Sequence, residues 1–370
     1  MKICHLTSAH SSDDVRIFRK ECVSLAKAGH EVYLVAKGES REEAGVRVLG
    51  LGEVPAGRLS RMTKFASAVY RKALEVDAEA YHLHDPELLP YALKLKKRGK
   101  KVIFDSHENY PEQIMEKRYL HPLVRSLISR LFKAYETHVL KKIDAVIIPC
   151  TFDGKNIFEN RAKRTVYVAN YPILDTFYQA YDPDTEKEYD ICYCGGMSYQ
   201  RGVYHLVKAA GMAGKRLLLA GWFSGKKFEE ELRALPEFAC ADYVGRVDNR
   251  DIPALVQKSR VGANTLLNLG QYTRMDTFGI KVYEYMSVGL PVLLADNAYS
   301  KAMAEKYGFG VCASPDDPED VARALEYLLE EPQRARQMGL NGRKAVESEF
   351  NWSTQEKKLL ELYASMQVEK

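Results

Sequence analysis

The sequence predicts an α/β protein with two Rossmann-like, doubly wound domains. Short apolar runs alternate with helix-forming segments of roughly 10–15 residues, which is the pattern of a parallel sheet covered by helices. This alternation occurs twice, over residues 3–148 and again over residues 190–313. The polar segment 173–189 separates the two series and shows no apolar periodicity, so we expect a linker there. A chain of 370 residues is long enough for two such domains.

In the first half, apolar runs predict six strands, at 3–7, 31–36, 46–49, 101–104 and 145–148 and in the run that begins at Tyr81. Helices are expected at 15–28, 59–75 and 86–98, where Gly29 and Gly99 would end the first and the last. The second half repeats the pattern, with strands at 190–195, 216–221, 241–245, 261–267, 292–295 and 310–313 and final helices at 333–348 and 352–366. We therefore expect a first domain over 1–172 and a second over 186–350.

Composition indicates an ordinary soluble, cytoplasmic protein. Charged residues make up 28% of the chain, and no apolar run approaches the roughly 20 residues that a membrane-spanning helix needs. The N-terminus carries one short apolar strand, too brief for a signal-peptide core. The seven cysteines are odd in number and lie mostly in apolar runs, which favours reduced, packed thiols.

Charge is distributed unevenly between the halves. Residues 1–170 contain 30 basic and 21 acidic residues, whereas the remainder contains 24 basic and 29 acidic ones. A basic half can face an anionic partner, although solvated helix faces are the commoner explanation. Nucleic acid is not expected, because the basic residues are not interleaved with aromatic residues in a stacking pattern.

The stretch 276–296 carries the strongest functional pattern. Asp276 and Phe278-Gly279 precede a helix that Gly289 ends, and a short apolar strand follows. The amides at a helix N-terminus bind anions such as phosphate. Asp276 and Glu284 are eight residues apart and can face one crevice, where Glu284 could accept two hydrogen bonds from a vicinal diol such as a ribose.

This stretch resembles the acidic-x7-Glu signature of the retaining glycosyltransferases of family 4, which have the GT-B fold. The resemblance implies two domains that face each other across a cleft, and final helices that pack back across it, so that 352–370 would join the first domain. It also implies that Glu284 binds the donor ribose, that Asp276 contacts the sugar hydroxyls and that the amides of 278–280, including Ile280, help to hold the sugar. Asp276 stands where the family usually has Glu. A buried helix of a Rossmann-like domain without this role is the alternative.

Two further second-half segments carry donor-site candidates. Gly195 and Gly196 form a turn between a strand and a helix, where the backbone can approach a diphosphate and Arg201 adds positive charge. Arg201 replaces the family's Lys, and Met197 lies where the family often has Arg, so we expect Lys281 to supply the second cation. By the same resemblance, Arg246 or Val247 flanks the nucleobase, and Tyr272 and Arg274 contact the sugar or the acceptor.

In the first half, candidates follow three expected strands. His10 lies in the loop after the first strand and either approaches the reacting centre or has a structural role. Asp14 and Arg16 match an Asp-x-Arg-Ile-Phe element of one family branch. His107 occupies the position of a family histidine that contacts the donor sugar, and Glu108 follows it; a histidine held by backbone carbonyls is the alternative.

His82 and His84 would lie on one face of a strand, as a pair of metal ligands might. We find no third ligand of the right type near them in the sequence, so no metal is expected. The resemblance implies instead that His84 and Asp85 line the acceptor cleft or support the next loop.

The region 118–133 is basic and amphipathic. Its apolar positions (123, 124, 127, 128, 131 and 132) form a stripe, with Arg125, Arg130 and Lys133 away from it. Such a stripe usually packs on the sheet; in family members with lipid-linked acceptors, a comparable region contacts the bilayer surface.

The sequence thus predicts a retaining, metal-independent hexosyltransferase without a cofactor, which uses a nucleotide sugar, most simply a UDP-sugar, and a glycan or lipid-linked acceptor. Bacterial cell-surface polysaccharide or glycolipid synthesis is the family's commonest use. A cytoplasmic location follows, with peripheral contact to anionic membrane as an option. The alternatives are a GT-B nucleotide-sugar epimerase or hydrolase, and a non-catalytic scaffold that partners another transferase.

Overall fold

The computed structural model describes residues 1–53, 57–117 and 121–368. The chain divides into two compact units. Unit 1 comprises Met1–Asn170 and Ser353–Lys370, and unit 2 comprises Tyr171–Trp352. Residues 118–120 of the amphipathic region and residues 369 and 370 of the predicted last helix lie outside the described part. Within that part, no helix combines the length and the apolar character that a bilayer crossing requires.

Unit 1 contains an eight-stranded sheet within the described residues, with the spatial order β3-β4-β2-β1-β5-β6-β7-β8. All neighbouring strands are parallel except β3 and β4. The strands are β1 (Lys2–Ser11), β2 (Glu31–Lys37), β3 (Arg41–Glu43), β4 (Val46–Gly50), β5 (Ala80–Leu83), β6 (Lys101–Asp105), β7 (Ala145–Ile148) and β8 (Thr165–Tyr167). The six predicted strands are present, and the three-residue β3 and β8 were not predicted.

The helices of unit 1 cover both faces of this sheet. A π-helical segment, Val15–Cys22, continues into α1 (Val23–Lys27), and a second one, Arg61–Phe65, lies between α2 (Arg58–Ser60) and α3 (Ala66–Val76). The others are α4 (Leu89–Lys97), preceded by the 3₁₀ turn Pro86–Leu88, α5 (Tyr110–Met115) and α6 (Pro122–Leu140). Pro86 and Pro122 lie at the first turns of their helices, where a missing N–H costs nothing.

Unit 2 contains a six-stranded parallel sheet within the described residues, in the order β11-β10-β9-β12-β13-β14. Its strands are β9 (Tyr189–Met197), β10 (Leu217–Phe223), β11 (Ala241–Gly245), β12 (Ser259–Asn264), β13 (Val292–Ala295) and β14 (Gly310–Ala313). Its helices are α7 (Leu174–Phe177), α8 (Val203–Met212), α9 (Lys226–Arg233), α10 (Ile252–Gln257), α11 (Ile280–Ser287), α12 (Ala298–Tyr307), α13 (Pro318–Glu330) and α14 (Pro332–Ser348), with 3₁₀ turns at Pro236–Cys240 and Gly270–Thr273.

The inner strands of both sheets are largely buried and mostly apolar, as expected for parallel strands with helices on both faces, whereas β3, β8 and β11 are half-buried or exposed. The expected linker at 173–189 contains the four-residue α7.

The last two helices belong to different units. The final helix, α15 (Trp352–Val368), packs within unit 1, where the Gln355 side chain accepts a hydrogen bond from the Ala169 amide. Helix α14 lies within the bounds expected for the second domain, 186–350. This helix stays in unit 2, where Gly342 lies against Met286 of α11. The absence of a side chain at Gly342 permits this close approach.

Candidate functional site

The strand order of each sheet reverses at one point, and ligands of doubly wound proteins bind beside such points. In unit 1 the reversal lies between β1 and β5, and in unit 2 it lies between β9 and β12. Each unit has a cavity at the carboxyl ends of these strands. The predicted site residues divide between the two cavities and the buried structure beneath them.

The cavity of unit 2 has a volume of about 410 Å³ and lies at the N-terminus of α11. Five predicted residues line it: Arg201, Tyr272, Phe278, Gly279 and Lys281. The wall also contains Tyr193, Ser198, Gln200, Asn264, Leu266, Met275 and Thr277, which were not predicted. Asn264 was not predicted as a site residue because the strand was expected to extend to residue 267, whereas β12 ends at Asn264.

Lys281 and Arg201 bring two cationic side chains to this cavity. Lys281 is 8% exposed, and its ammonium lies 3.6 Å from the centroid of the Tyr193 ring. Burial, and then the positive charge of Arg201, lowers the pKa of Lys281 to about 7. Two neighbouring cations beside a helix N-terminus form a site that favours a ligand with more than one negative charge.

Tyrosines fix α11 and its preceding loop. The Tyr285 hydroxyl accepts a hydrogen bond of 2.9 Å from the Cys194 amide, which joins α11 to β9. The Phe278 amide donates to the Tyr283 hydroxyl at 3.3 Å. Gly279 then begins the helix without a side-chain cap, so the first-turn amides lie at the cavity wall.

Glycines allow close approach at the end of β9. Gly195 has φ of +127°, and a β-carbon there would lie 3.6 Å from the Lys281 ammonium. Gly196 faces the Trp222 ring, over which the Arg246 guanidinium lies at 5.0 Å from the centroid. Within the described chain, Gly195, Gly196 and Arg246 are not among the residues that line the cavity of unit 2.

The remaining unit 2 candidates, Asp276, Ile280, Glu284, Val247 and Arg274, are outside the set of residues that line the cavity within the described chain. Glu284 is half-buried on α11, one turn after Lys281, and Asp276 lies in the loop that precedes Thr277. Asp276 is therefore adjacent in the chain to Thr277, and Glu284 is one helical turn from Lys281, and both Thr277 and Lys281 line the cavity.

The cavity of unit 1 is larger, about 780 Å³. It is lined by His10, Asp85, His107 and Glu108 from the predicted set, together with Glu87 and Arg61, which form an ion pair. Its apolar lining residues include Met62, Ile114, Ile128 and Phe132. A wall that combines polar and apolar side chains suits an amphipathic ligand.

His10 and His107 lie side by side in the wall of this cavity, with ring centroids 4.8 Å apart. Burial alone would lower the pKa of His10, but its hydrogen bond with Asp14 (3.2 Å) and the nearby charge of Asp85 raise it overall. Asp14 also accepts hydrogen bonds from the amides of Arg16 and Ile17 and so caps the helix after β1. His10 lies within β1, which extends to Ser11, so the prediction of a loop position after the first strand is wrong.

Asp85 organises the end of β1. One of its carboxylate oxygens accepts hydrogen bonds from the Thr7 hydroxyl at 2.8 Å and from the Ser8 and Ala9 amides at 2.6 and 3.2 Å. Its other oxygen lies 3.6 Å from His10 Nε2. The buried carboxylate thus holds the carboxyl end of β1 in place, and Asp85 also lines the cavity.

Arg16 and His84 are buried beneath this cavity and do not line it among the described residues. Arg16 donates two hydrogen bonds to Asp105, at 2.8 and 3.0 Å. His84 Nδ1 lies 3.4 Å from the same carboxylate. The premise that no further ligand-type side chain lies near His82 and His84 is wrong, because His5 and Glu21 lie beside them.

The amphipathic helix α6 presents an exposed apolar row rather than a stripe packed on the sheet. Leu123, Val124, Leu127, Ile128 and Leu131 are 40–75% exposed. Phe132 is the member of the predicted stripe that is half-buried, against the unit 1 core. Since Ile128 also lines the cavity, the row reaches the cavity wall at this residue.

Two α/β units of this order, each with a ligand-sized cavity at its topological reversal, define a GT-B fold. Residues 16–170 match the model of Glycosyltransferase Family 4, and residues 179–345 match that of Glycosyl transferases group 1. The chain belongs to the glycosyltransferases of this group 1 and family 4 type.

Known proteins with similar sequences and structures agree with this class. The D-rhamnosyltransferase WbpZ of Pseudomonas aeruginosa is 23% identical over 297 residues, which cover 75% of this chain and 72% of WbpZ. Sucrose-phosphate synthase of Thermosynechococcus elongatus superposes with a TM-score of 0.78 at 18% identity over 100% of both chains. HepE of Anabaena, solved in complex with UDP, superposes with a TM-score of 0.72 at 14% identity over 99% of this chain and 100% of its own.

Proposed function

We propose that the protein is a retaining glycosyltransferase that transfers a sugar from a UDP-sugar to a lipid-linked or glycan acceptor in bacterial cell-surface synthesis. The observation that carries the proposal is the pairing of Arg201 and Lys281 on one cavity at the N-terminus of α11. A nucleoside diphosphate supplies the negative charge that this pair lacks. UDP is favoured because HepE was solved with UDP and with UDP-glucose.

The proposed reaction needs stabilisation of a leaving diphosphate. The acceptor oxygen forms a bond to the anomeric carbon while the bond from that carbon to the diphosphate oxygen breaks, and the nucleoside diphosphate leaves with the electron pair. Arg201, Lys281 and the dipole of α11 face that developing charge. A leaving phosphate oxygen takes the acceptor proton, which delivers the acceptor to the face that the phosphate leaves and retains the anomeric configuration. Neither a bound metal nor a cofactor enters the proposed steps.

The cavity of unit 1 is proposed to bind the acceptor. Its polar side chains, among them His10 and His107, suit sugar hydroxyl groups or a phosphate, and its apolar side chains suit a lipid chain. The exposed row on α6 meets this cavity at Ile128 and would rest on the membrane surface, with Arg130 and Lys133 near anionic headgroups. Because WbpZ is described as a D-rhamnosyltransferase, rhamnosyl donors belong among the sugars to assay.

Thermal stabilisation by UDP, GDP, ADP and CMP tests the donor site first. UDP should raise the melting temperature of the wild-type protein, and the shift should be lost in Glu284→Ala and strongly reduced in Lys281→Met. Lys301→Met is the matched control, because Lys301 is an exposed lysine of the same unit.

Stabilisation by another nucleotide alone would replace UDP in the proposal. No shift with any nucleotide would favour the non-catalytic scaffold. If Lys281→Ala left donor affinity unchanged while Arg201→Ala abolished it, the paired-cation site would be wrong.

Transfer itself is tested with the matching nucleotide sugars and a short-chain lipid diphosphate acceptor. The product's anomeric configuration, read from its proton coupling constants by NMR, should equal that of the donor. Release of free sugar without any acceptor product would instead indicate a hydrolase. Added Mg²⁺ or Mn²⁺ should leave the rate unchanged, and a rate that depends on either ion would contradict the metal-free step.

A further inference from the structure

Four fully buried side chains of metal-ligand type meet inside unit 1, beneath the cavity that is proposed to bind the acceptor. They are His5 on β1, His82 and His84 on β5, and Glu21 on the π-helical segment that follows β1. His5 is the direct cross-strand partner of His82, and His84 lies two residues further along the strand. All three histidines therefore project from the same face of the sheet, and Glu21 covers them from the helix above.

The distances between their donor atoms suit one shared ion. His5 Nδ1 lies 3.0 Å from His84 Nε2. The Glu21 oxygen Oε2 lies 4.0 Å from His5 Nδ1 and 3.8 Å from both His82 Nδ1 and His84 Nε2. Four donors placed tetrahedrally at about 2.1 Å from a zinc ion would be about 3.4 Å apart. All four ligand atoms lie within 4.8 Å of one another.

The Glu21 carboxylate lacks the hydrogen bonds that a buried carboxylate requires. Within the described residues, neither of its oxygens accepts a hydrogen bond, and the second nitrogens of His5 and His82 are also unsatisfied. Arg16 Nε lies 3.2 Å from Oε1, but this guanidinium is already engaged by Asp105. Oε2 instead points at three imidazoles from distances too long for hydrogen bonds. A cation beside Oε2 would neutralise the buried carboxylate and could bind the imidazole nitrogens that face it.

The contact of its other ring nitrogen with a carboxylate fixes the orientation of the His84 ring, as is usual for histidines that bind metals. Its Nδ1 lies 3.4 Å from the Asp105 carboxylate, which Arg16 holds with two hydrogen bonds. With the proton on Nδ1, facing this carboxylate, Nε2 of His84 would be free to bind an ion on the side of the cluster. The Tyr363 hydroxyl of α15 lies 3.0 Å from His82 Nδ1 and closes the remaining side; an ion bound at this nitrogen would replace that hydrogen bond.

We propose that His5, Glu21, His82 and His84 bind one divalent transition-metal ion, with zinc as the first candidate. Three imidazoles and one carboxylate are ligands that zinc accepts, and full burial fits a structural site with no open position. The ion would join β1, β5 and the helix after β1, beneath α15. Through His84, whose Nδ1 is 3.3 Å from His107 Nε2, it would also fix the floor of the unit 1 cavity.

The competing explanation for the buried Glu21 carboxylate is a proton that Glu21 shares with Asp105, in place of a metal ion. Burial, followed by the charge of Asp105, raises the pKa of Glu21, so a neutral Glu21 that donates to Asp105 would also reduce the cost of its burial. Glu21→Gln separates the two explanations, because glutamine imitates the protonated acid but does not bind zinc. Under the proton explanation this variant keeps its stability, whereas under the metal proposal it loses both the ion and stability.

The experiment is metal analysis of the tag-free, full-length protein, purified from zinc-supplemented medium and dialysed against metal-free buffer. Inductively coupled plasma mass spectrometry should find about one zinc per chain in the wild type and far less in Glu21→Gln and His82→Gln. His205→Gln is the matched control, since His205 is a partly buried histidine of unit 2, and it should retain the metal. The melting temperature of unit 1 should fall in the two cluster variants.

A wild type without metal would overturn the proposal, as would a metal content that survives in both cluster variants. Should those variants fail to fold, X-ray absorption at the zinc edge of the wild type decides. Three imidazole ligands and one carboxylate would support the site, and any other ligand set would exclude it.

Discussion

The ammonium group of Lys281 lies 3.6 Å from the centroid of the Tyr193 ring, on the wall of the unit 2 cavity. The aromatic face partly compensates for lost hydration, but burial still lowers the pKa of Lys281 to about 7. The lysine is therefore poised between its neutral and charged forms at neutral pH. An anion that binds beside it should draw the lysine to the charged form.

Nucleotide binding should therefore take up a proton above pH 7. At pH 8 the free Lys281 is mostly neutral, whereas a bound diphosphate would stabilise its charged form. Calorimetry of UDP binding at pH 8, in two buffers of different ionisation enthalpy, should show an uptake approaching one proton in the wild type. Lys281→Met should show none and bind UDP roughly 10–100-fold more weakly. Equal buffer dependence in the wild type and in Lys281→Met would contradict this prediction; Lys301→Met should behave as the wild type.

The same lysine should make the stability of unit 2 depend on pH. Its folded pKa of about 7 lies below the unfolded value of 10.5, so the unfolded chain binds more protons between these limits and stability rises with pH. Relative to Lys281→Met, the free energy of unfolding should increase by about 2 kcal/mol between pH 7 and pH 9.

Tryptophan fluorescence during urea unfolding can report this effect for unit 2. The chain has two tryptophans, Trp222 and Trp352, and both belong to that unit. A difference between the wild type and Lys281→Met that stays constant over this pH range would show that Lys281 titrates normally.

The sequence predicted the elements that depend on apolar runs, because burial on both faces of a parallel strand leaves a continuous apolar segment. It missed β3 and β8, since three-residue edge strands with half-exposed residues leave no such segment. The sequence also indicated that Lys281, at the start of a helix, and Arg201, after the glycine turn, belong to one site.

Burial of charged residues could not be predicted in the same way. Arg16 is buried because Asp105, 89 residues away in the chain, accepts two hydrogen bonds from it. His5 and Glu21 meet His82 and His84 through strand pairing and helix packing, neither of which local spacing encodes. Such partners become visible only once the sheet order is known.

Loss of the Arg16–Asp105 pair should destabilise unit 1 strongly. Arg16 is 5% exposed and donates to both Asp105 oxygens and to the Val168 carbonyl. Arg16→Met would leave a buried carboxylate without its cation, at a cost of about 3–5 kcal/mol. Amide hydrogen exchange of β1 and β6 measures this loss.

Arg19→Met is the matched control for this measurement. Arg19 is 52% exposed and pairs with Glu43 at the surface, so its replacement should cost less than about 1 kcal/mol. Similar losses for the two variants would show that the buried pair contributes no more than a surface one.

The exposed row on α6 should bind anionic membranes. Leu127 and Leu131 are 59% and 62% exposed, so Leu127→Glu with Leu131→Glu removes apolar surface and adds negative charge while changing stability by less than about 1 kcal/mol. The wild-type protein should co-sediment with vesicles that contain anionic lipid at low salt, and less at high salt because screening weakens the contribution of Arg130 and Lys133. The double variant should remain in the supernatant. Leu340→Glu, at an exposed leucine of unit 2, should sediment as the wild type does. A wild-type protein that stays in the supernatant even at low salt would exclude the membrane contact and leave the row available to another partner.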